Sequence, residues 1–120
     1  MDSQFWHNPA CSKSRAALAL LEQAGAQVRV VEYLETPPDA AALGAVVALL
    51  GLSPRALLRT GEDAYTALGL EAPALDDATL LAAMATHPRL IERPVFIHGG
   101  QAVIGRPPER VLELLGVTAD

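Results

Sequence analysis

The stretch "SQFWHNPACSKSRAALALLEQAGAQVRVVEYL", Ser3 to Leu34, decides the fold. It opens on "SQFW", a short apolar run that reads as a first strand. Ala17, Leu18, Leu21 and Ala24 then recur at helical spacing and stop at Gly25, a natural residue just past a helix end. The helix therefore begins close to Cys11. Gln27–Leu34, "QVRVVEYL", is rich in β-branched residues and reads as a second strand. Strand, helix and strand in that order predict a right-handed unit with two parallel strands. Between the first strand and the helix lies "HNPACSKSR", His7 to Arg15, a proline-broken turn that carries the single cysteine of the chain.

Outward from this unit, Thr36 followed by Pro37, Pro38 and Asp39 predicts a helix start, with the Thr36 hydroxyl as cap and prolines in the first turn. Leu43, Val46, Val47 and Leu50 form an apolar stripe closed by Gly51. Ser53-Pro54 opens a short helix through "RALLR", and "DAYTALGL" predicts another ending near Gly69. Asp76 or Asp77 caps a helix through Met84 that Pro88 prevents from continuing. "RPVFIH" and "QAVIG" then read as strands joined by Gly99-Gly100, a strong two-residue hairpin signal. "PPERVLELLG" predicts a terminal helix, prolines first and Gly116 last. The order is β-α-β, a helical insertion at about 37–87, then β-β-α. The expectation is one α/β domain over 1–120, a thioredoxin-like (glutaredoxin-like) mixed sheet with helices on both faces.

Bulk composition narrows the class of function. A chain of 120 residues with 51% hydrophobic content buries an ordinary core. One cysteine cannot form an internal disulfide, which fits a reducing cytoplasm. No secretory signal is visible, and the longest apolar run, Ala40 to Leu52, falls short of the roughly 20 residues that span a bilayer. A net charge of −5 argues against nucleic acid as a partner. No pair of histidines or carboxylates has metal-ligand spacing, so no metal and no bound cofactor are expected.

The thiolate, and not the thiol, is the nucleophile, and a free thiol with a pKa of about 8.5 is mostly protonated at neutral pH. A helix N-terminus offers unpaired N–H groups and a partial positive charge to an anion. Cys11 stands where that end is expected, and Ser14, three residues on, is placed to present its hydroxyl to the sulfur. His7, Lys13 and Arg15 add positive potential if they fold back. Against this stands the ordinary reading of a lone cysteine as a small, inert hydrophobe. The flanking Pro9, Ser12, Lys13 and Ser14 describe a polar turn instead of a core site. His7 is read either as the base or electrostatic partner of the thiol or as a turn residue bonded to local backbone. His87 reads as a capping or surface group, and His98 as solvated. "CSKS" lacks the second sulfur of a C-x-x-C enzyme, so oxidised Cys11 needs a thiol from another molecule.

The blocks "HNPACSKSR", "YLETPP", "LLRTGEDAY", "HPRLIERPVF" and "IGRPPERVLELL" occur in the order seen in the glutaredoxin-coupled arsenate reductase family. The chain resembles that family from about Gln4 to Leu115, and its "CSKS" resembles the short C-x-x-S branch. The resemblance implies that Cys11 attacks arsenate to give a thiolate–arsenate adduct, with His7 favouring the thiolate. It implies glutathione and glutaredoxin as external reductants, with arsenite as product. It also implies Arg59 of "LLR", Arg93 of "ERP" and Arg106 of "GRP" as the oxyanion-binding arginines, and a cis bond before Pro94.

Physical chemistry accommodates that assignment. Arsenate is a charged tetrahedral oxyanion, and guanidinium forks match its oxygens. A thiolate attacking an anion needs cationic charge to offset the repulsion. Arg29, Arg55, Arg89 and Arg110 read as surface charges, while Arg15 either orients the cysteine turn or faces solvent. Two other readings compete. One keeps the thiol chemistry on another oxyanion or a glutathione-mixed disulfide. The other is a regulatory module binding a protein such as RNA polymerase, disfavoured by the missing second cysteine and the retained arginines.

Overall fold

The computed structural model describes residues 3–116. The chain divides into two compact units. One is made of the segments up to Thr36 and from Arg93 onward, and the other spans Pro37–Glu92.

The first unit holds a four-stranded mixed sheet, β1 (Gln4–Trp6), β2 (Arg29–Val31), β3 (Val95–His98) and β4 (Gln101–Ile104), in the order β2-β1-β3-β4. β1 pairs parallel with β2 and antiparallel with β3, the thioredoxin-like arrangement that the element order predicts. Gly99 and Gly100 both take positive φ, 59° and 76°, and close the two-residue β3–β4 hairpin. Phe5, Phe96 and Val103 lie opposite one another along one cross-strand row. Ala17 and Leu21 of α1 (Ser12–Gln23) cover that row together with Val111 and Leu112. Each large apolar side chain so buried contributes roughly 1.5–3 kcal/mol. Trp6, Val95 and Ile97, on the opposite face, are buried as well.

Helix ends explain where α1 stops and starts. Gly25 N–H bonds to Glu22 O and Ala26 N–H to Leu21 O, with Gly25 at φ 77°, so a Schellman motif ends the helix. β2 is shorter than the eight residues expected. Glu32 O accepts from Glu35 and Thr36 N–H, and this turn takes Tyr33 and Leu34 out of the strand. Val111 and Leu112 belong to Pro108–Leu115, which is a 3-10 helix and not the α-helix expected, with Pro108 in its first turn and Gly116 after it.

The second unit contains α2 (Ala40–Leu50), α3 (Pro54–Leu57), α4 (Asp63–Ala67), α5 (Asp77–Thr86) and a 3-10 helix, Pro88–Leu90. Asp39, and not Thr36, caps α2: its carboxylate accepts from Ala42 N–H at 2.8 Å. The consecutive prolines hold the residues before them extended, so the helix cannot begin earlier. Asp76 caps α5 in the same way through Thr79 N–H at 2.9 Å. Beyond α3 the chain turns extended. Arg59 N–H bonds to Leu90 O and Glu92 N–H to Leu57 O, both at 2.8 Å, about the bridge Leu58–Ile91. Leu57, Leu58, Leu90 and Ile91 are buried, so this small antiparallel brace has an apolar interior. No described helix is long and apolar enough to cross a membrane.

Candidate active site

The cysteine turn is fixed from three sides. His7 N–H bonds to Val31 O at 2.8 Å, carrying the β1–β2 pairing one residue past the strand. Asn8 Oδ1 accepts from Ala10 N–H and Asn8 O from Cys11 N–H, each at 3.0 Å, so one side chain and its own carbonyl shape the loop. Arg15 Nη1 donates to Pro9 O at 2.8 Å, which makes Arg15 a turn-orienting residue. Cys11 is the N-cap of α1, extended at φ −94° and ψ 123°, and half-buried. Its sulfur is thus carried at the positive end of a 12-residue helix, the end that favours an anion.

Ser14 does something other than the sequence suggests. Its side chain is fully buried, and its Oγ lies 2.7 Å from His7 Nδ1 and accepts from Asn8 N–H at 3.0 Å. The third residue of the helix faces inward, so this hydroxyl serves the turn's frame and not the sulfur. His7 is buried against Phe5, with ring centroids 5.6 Å apart. Burial pushes the His7 pKa below 6.5, Glu32 acts in the opposite sense, and Arg15 lowers it further. A neutral imidazole is therefore favoured, which leaves His7 a weaker source of positive charge than an ordinary histidine.

Arg93 and Arg106 are brought together at the open end of the β3–β4 hairpin. Both precede cis prolines, Pro94 and Pro107. Gly105 N–H bonds to buried Pro94 O at 2.9 Å, continuing the register one residue beyond Val95–Ile104. Arg106 Nη1 then donates to Arg93 O at 3.1 Å. Gly105 is required by packing: a Cβ there would meet Pro94 Cγ at 2.9 Å and Val111 Cγ1 at 3.1 Å. Two half-buried guanidinium groups on adjacent backbone segments make a local concentration of positive charge suited to an oxyanion.

Arg59 belongs to the second unit, where the brace fixes its backbone. Its Nη1 donates to Glu92 Oε1 at 3.0 Å, and its Nε lies 3.5 Å from Glu62 Oε2. Neither carboxylate was visible as a partner in the sequence, because the partners lie three and 33 residues away with no periodicity between them. Arg55, expected as a solvated surface charge, instead donates to Leu70 O and Ala72 O at 2.8 and 2.9 Å and ties down the loop after α4. His98 is not simply solvated either: its Nδ1 is bonded to Ser3 Oγ and its ring stacks on Phe96. Among the described residues no group of three or more His, Cys, Asp or Glu side chains is placed to hold a metal ion.

Comparison with known proteins places this geometry in a family. The model of the ArsC family matches residues 6–114. A Neisseria meningitidis protein named arsenate reductase is 49% identical over 113 residues, spanning 93% of this chain and 97% of that one. An Escherichia coli arsenate reductase is 40% identical over 111 residues, spanning 92% of this chain and 79% of the relative. The solved structure of an arsenate reductase from Vibrio cholerae superposes with a TM-score of 0.92 at 50% identity, covering 95% of this chain and 98% of that one.

Proposed function

This chain belongs to the ArsC family, and on that premise we propose that it is an arsenate reductase whose nucleophile is Cys11. The observation that carries the reading is the placement of the single thiol at the N-cap of α1, on a turn held by Asn8, Ser14 and Arg15.

The Cys11 thiolate attacks arsenic, an S–As bond forms, and one arsenate oxygen leaves as water after taking up protons. Arg93 and Arg106, with Arg59, bind the remaining oxygens and offset the charge that a thiolate and an oxyanion bring together. The thiol of glutathione then attacks the Cys11 sulfur. An S–S bond forms, the S–As bond breaks, and its electron pair reduces arsenic from the +5 to the +3 state, so that arsenite leaves. Glutaredoxin reduces the resulting mixed disulfide and restores the thiol. The chain has no second cysteine to do this itself. His7 acts as a positioning residue, neutral and bonded to Ser14, that keeps the turn in shape.

The test is a coupled assay with glutathione, glutaredoxin and its NADPH-linked reductase, in which arsenate-dependent NADPH loss is followed. Turnover that needs both thiol donors supports the full scheme. Turnover with another thiol donor keeps the reductase and replaces the donor. No arsenate-dependent oxidation with active partners overturns the reading.

A further inference from the structure

Arg59 is held unevenly. A guanidinium meets an oxyanion best along its side-on edge, Nε with Nη2, where two N–H bonds run parallel. Glu92 occupies the other side of the group: it accepts from Nη1 at 3.0 Å, and its own backbone is pinned by Leu57 O. On the side-on edge, Nε is buried and makes no hydrogen bond. Glu62 Oε2 lies 3.5 Å from it, close enough for attraction between charges but out of hydrogen-bond alignment. Glu62 stands at the N-cap of α4, yet its carboxylate does not bond to the helix. A buried N–H without an aligned acceptor gains more from an incoming acceptor than a solvated one does.

We propose that Glu62 is a resident counter-ion at Arg59 that an incoming tetrahedral oxyanion displaces from the Nε edge, while Glu92 is the positioning residue that holds the guanidinium through Nη1. The proposal rests on the assignment of Arg59 to oxyanion binding made above. Its content is a pair of opposite signs. Removing the Glu62 charge strengthens oxyanion binding, because a competitor is lost. Removing the Glu92 acceptor weakens binding, because the fork loses its anchor. Two carboxylates of merely structural use shift binding in no such opposed way.

The experiment uses the whole chain and arsenate itself as probe. Binding is measured by calorimetry without glutathione, and KM and kcat in the coupled assay. Glu62→Gln is expected to lower Kd and KM by about three- to tenfold with kcat little changed, the scale of one ordinary net hydrogen bond. Glu92→Ala raises both by about tenfold, and Glu92→Gln, which keeps an oxygen acceptor, restores most of the loss. Glu62→Gln binding that is unchanged or weaker overturns the proposal, as does a shift of the same sign in Glu62→Gln and Glu92→Ala. Glu62→Gln alone decides the matter should Glu92→Ala fail to fold. Arg59→Ala separates the two levels. If it leaves arsenate binding intact, the assignment of Arg59 fails and the proposal with it. If it abolishes binding while Glu62→Gln binds no tighter, the counter-ion role alone fails. Opposed binding shifts without any turnover uphold the pair and overturn the reductase.

Discussion

Ser14 Oγ lies 2.7 Å from His7 Nδ1 with both side chains buried, joining the end of β1 to the first turn of α1. The same oxygen accepts from Asn8 N–H, so one hydroxyl satisfies a ring nitrogen and a backbone donor at the base of the cysteine turn. Ser14→Ala strands both. The expected loss is about 1–3 kcal/mol, the cost of buried polar groups left without partners. Urea titration reads it as a lower midpoint with an unchanged slope. A midpoint equal to that of the parent sinks the idea that this bond frames the turn.

The burial of His7 has a sign that can be checked. A histidine whose folded pKa lies below its unfolded value binds fewer protons folded than unfolded between the two. Stability therefore rises with pH in that interval. The His7 contribution is complete above 6.5 and is lost as pH falls through 6.5 toward the lowered folded value. Thermal midpoints of the parent and of His7→Gln, compared from about pH 8 to about pH 5, are expected to converge toward the acid end. Parallel curves contradict the assignment.

Cys11→Ser replaces the sulfur by oxygen at a half-buried N-cap, where serine is itself a favoured residue. The fold is expected to persist, with a thermal midpoint at or slightly above that of the parent. Arsenate-dependent oxidation in the coupled assay is expected to vanish. Undiminished turnover in this variant rules out the thiolate–arsenate adduct.

Gly105→Ala inserts a methyl group 2.9 Å from Pro94 Cγ and 3.1 Å from Val111 Cγ1. Something must shift, and overpacking of this kind costs about 1–3 kcal/mol. Because Gly105 N–H also bonds to Pro94 O, the strain falls on the segments that carry Arg93 and Arg106. A lowered thermal midpoint and a raised KM for arsenate are expected together. A raised midpoint shows that the pocket around Gly105 has room to give.

Much of this architecture is legible in the residues, and the exceptions have physical causes. The β1–α1–β2 unit, the Gly25 stop and the Gly99-Gly100 hairpin follow from local chemistry, namely periodicity, positive φ and turn composition. Thr36 lost the cap of α2 to Asp39 because proline geometry excludes an earlier start, a rule available from the sequence but outweighed by the hydroxyl signal. β2 stops at Val31 because Glu32 O collects two N–H groups, and nothing in "VVEYL" marks that competition. At the site, Cys11 at the head of α1 was readable from the helical spacing that follows it and the polar turn around it. The inward hydroxyl of Ser14, the buried neutral ring of His7 and the carboxylates around Arg59 were not. Each depends on a side-chain direction or a long-range partner that no short window of sequence contains.

The brace that joins residues 57–59 to 90–92 has a consequence for how this protein tolerates change. Everything between those two segments hangs from a closed clasp. The entropic toll of closing a loop rises only slowly with its length, by about 0.6 kcal/mol per doubling. An insertion at the exposed Pro73–Ala74 segment between α4 and α5 therefore costs little, while Arg59 and Glu92 stay face to face. That makes Pro73–Ala74 the natural port for grafting a reporter or a purification handle, clear of Glu62 and of the arginine.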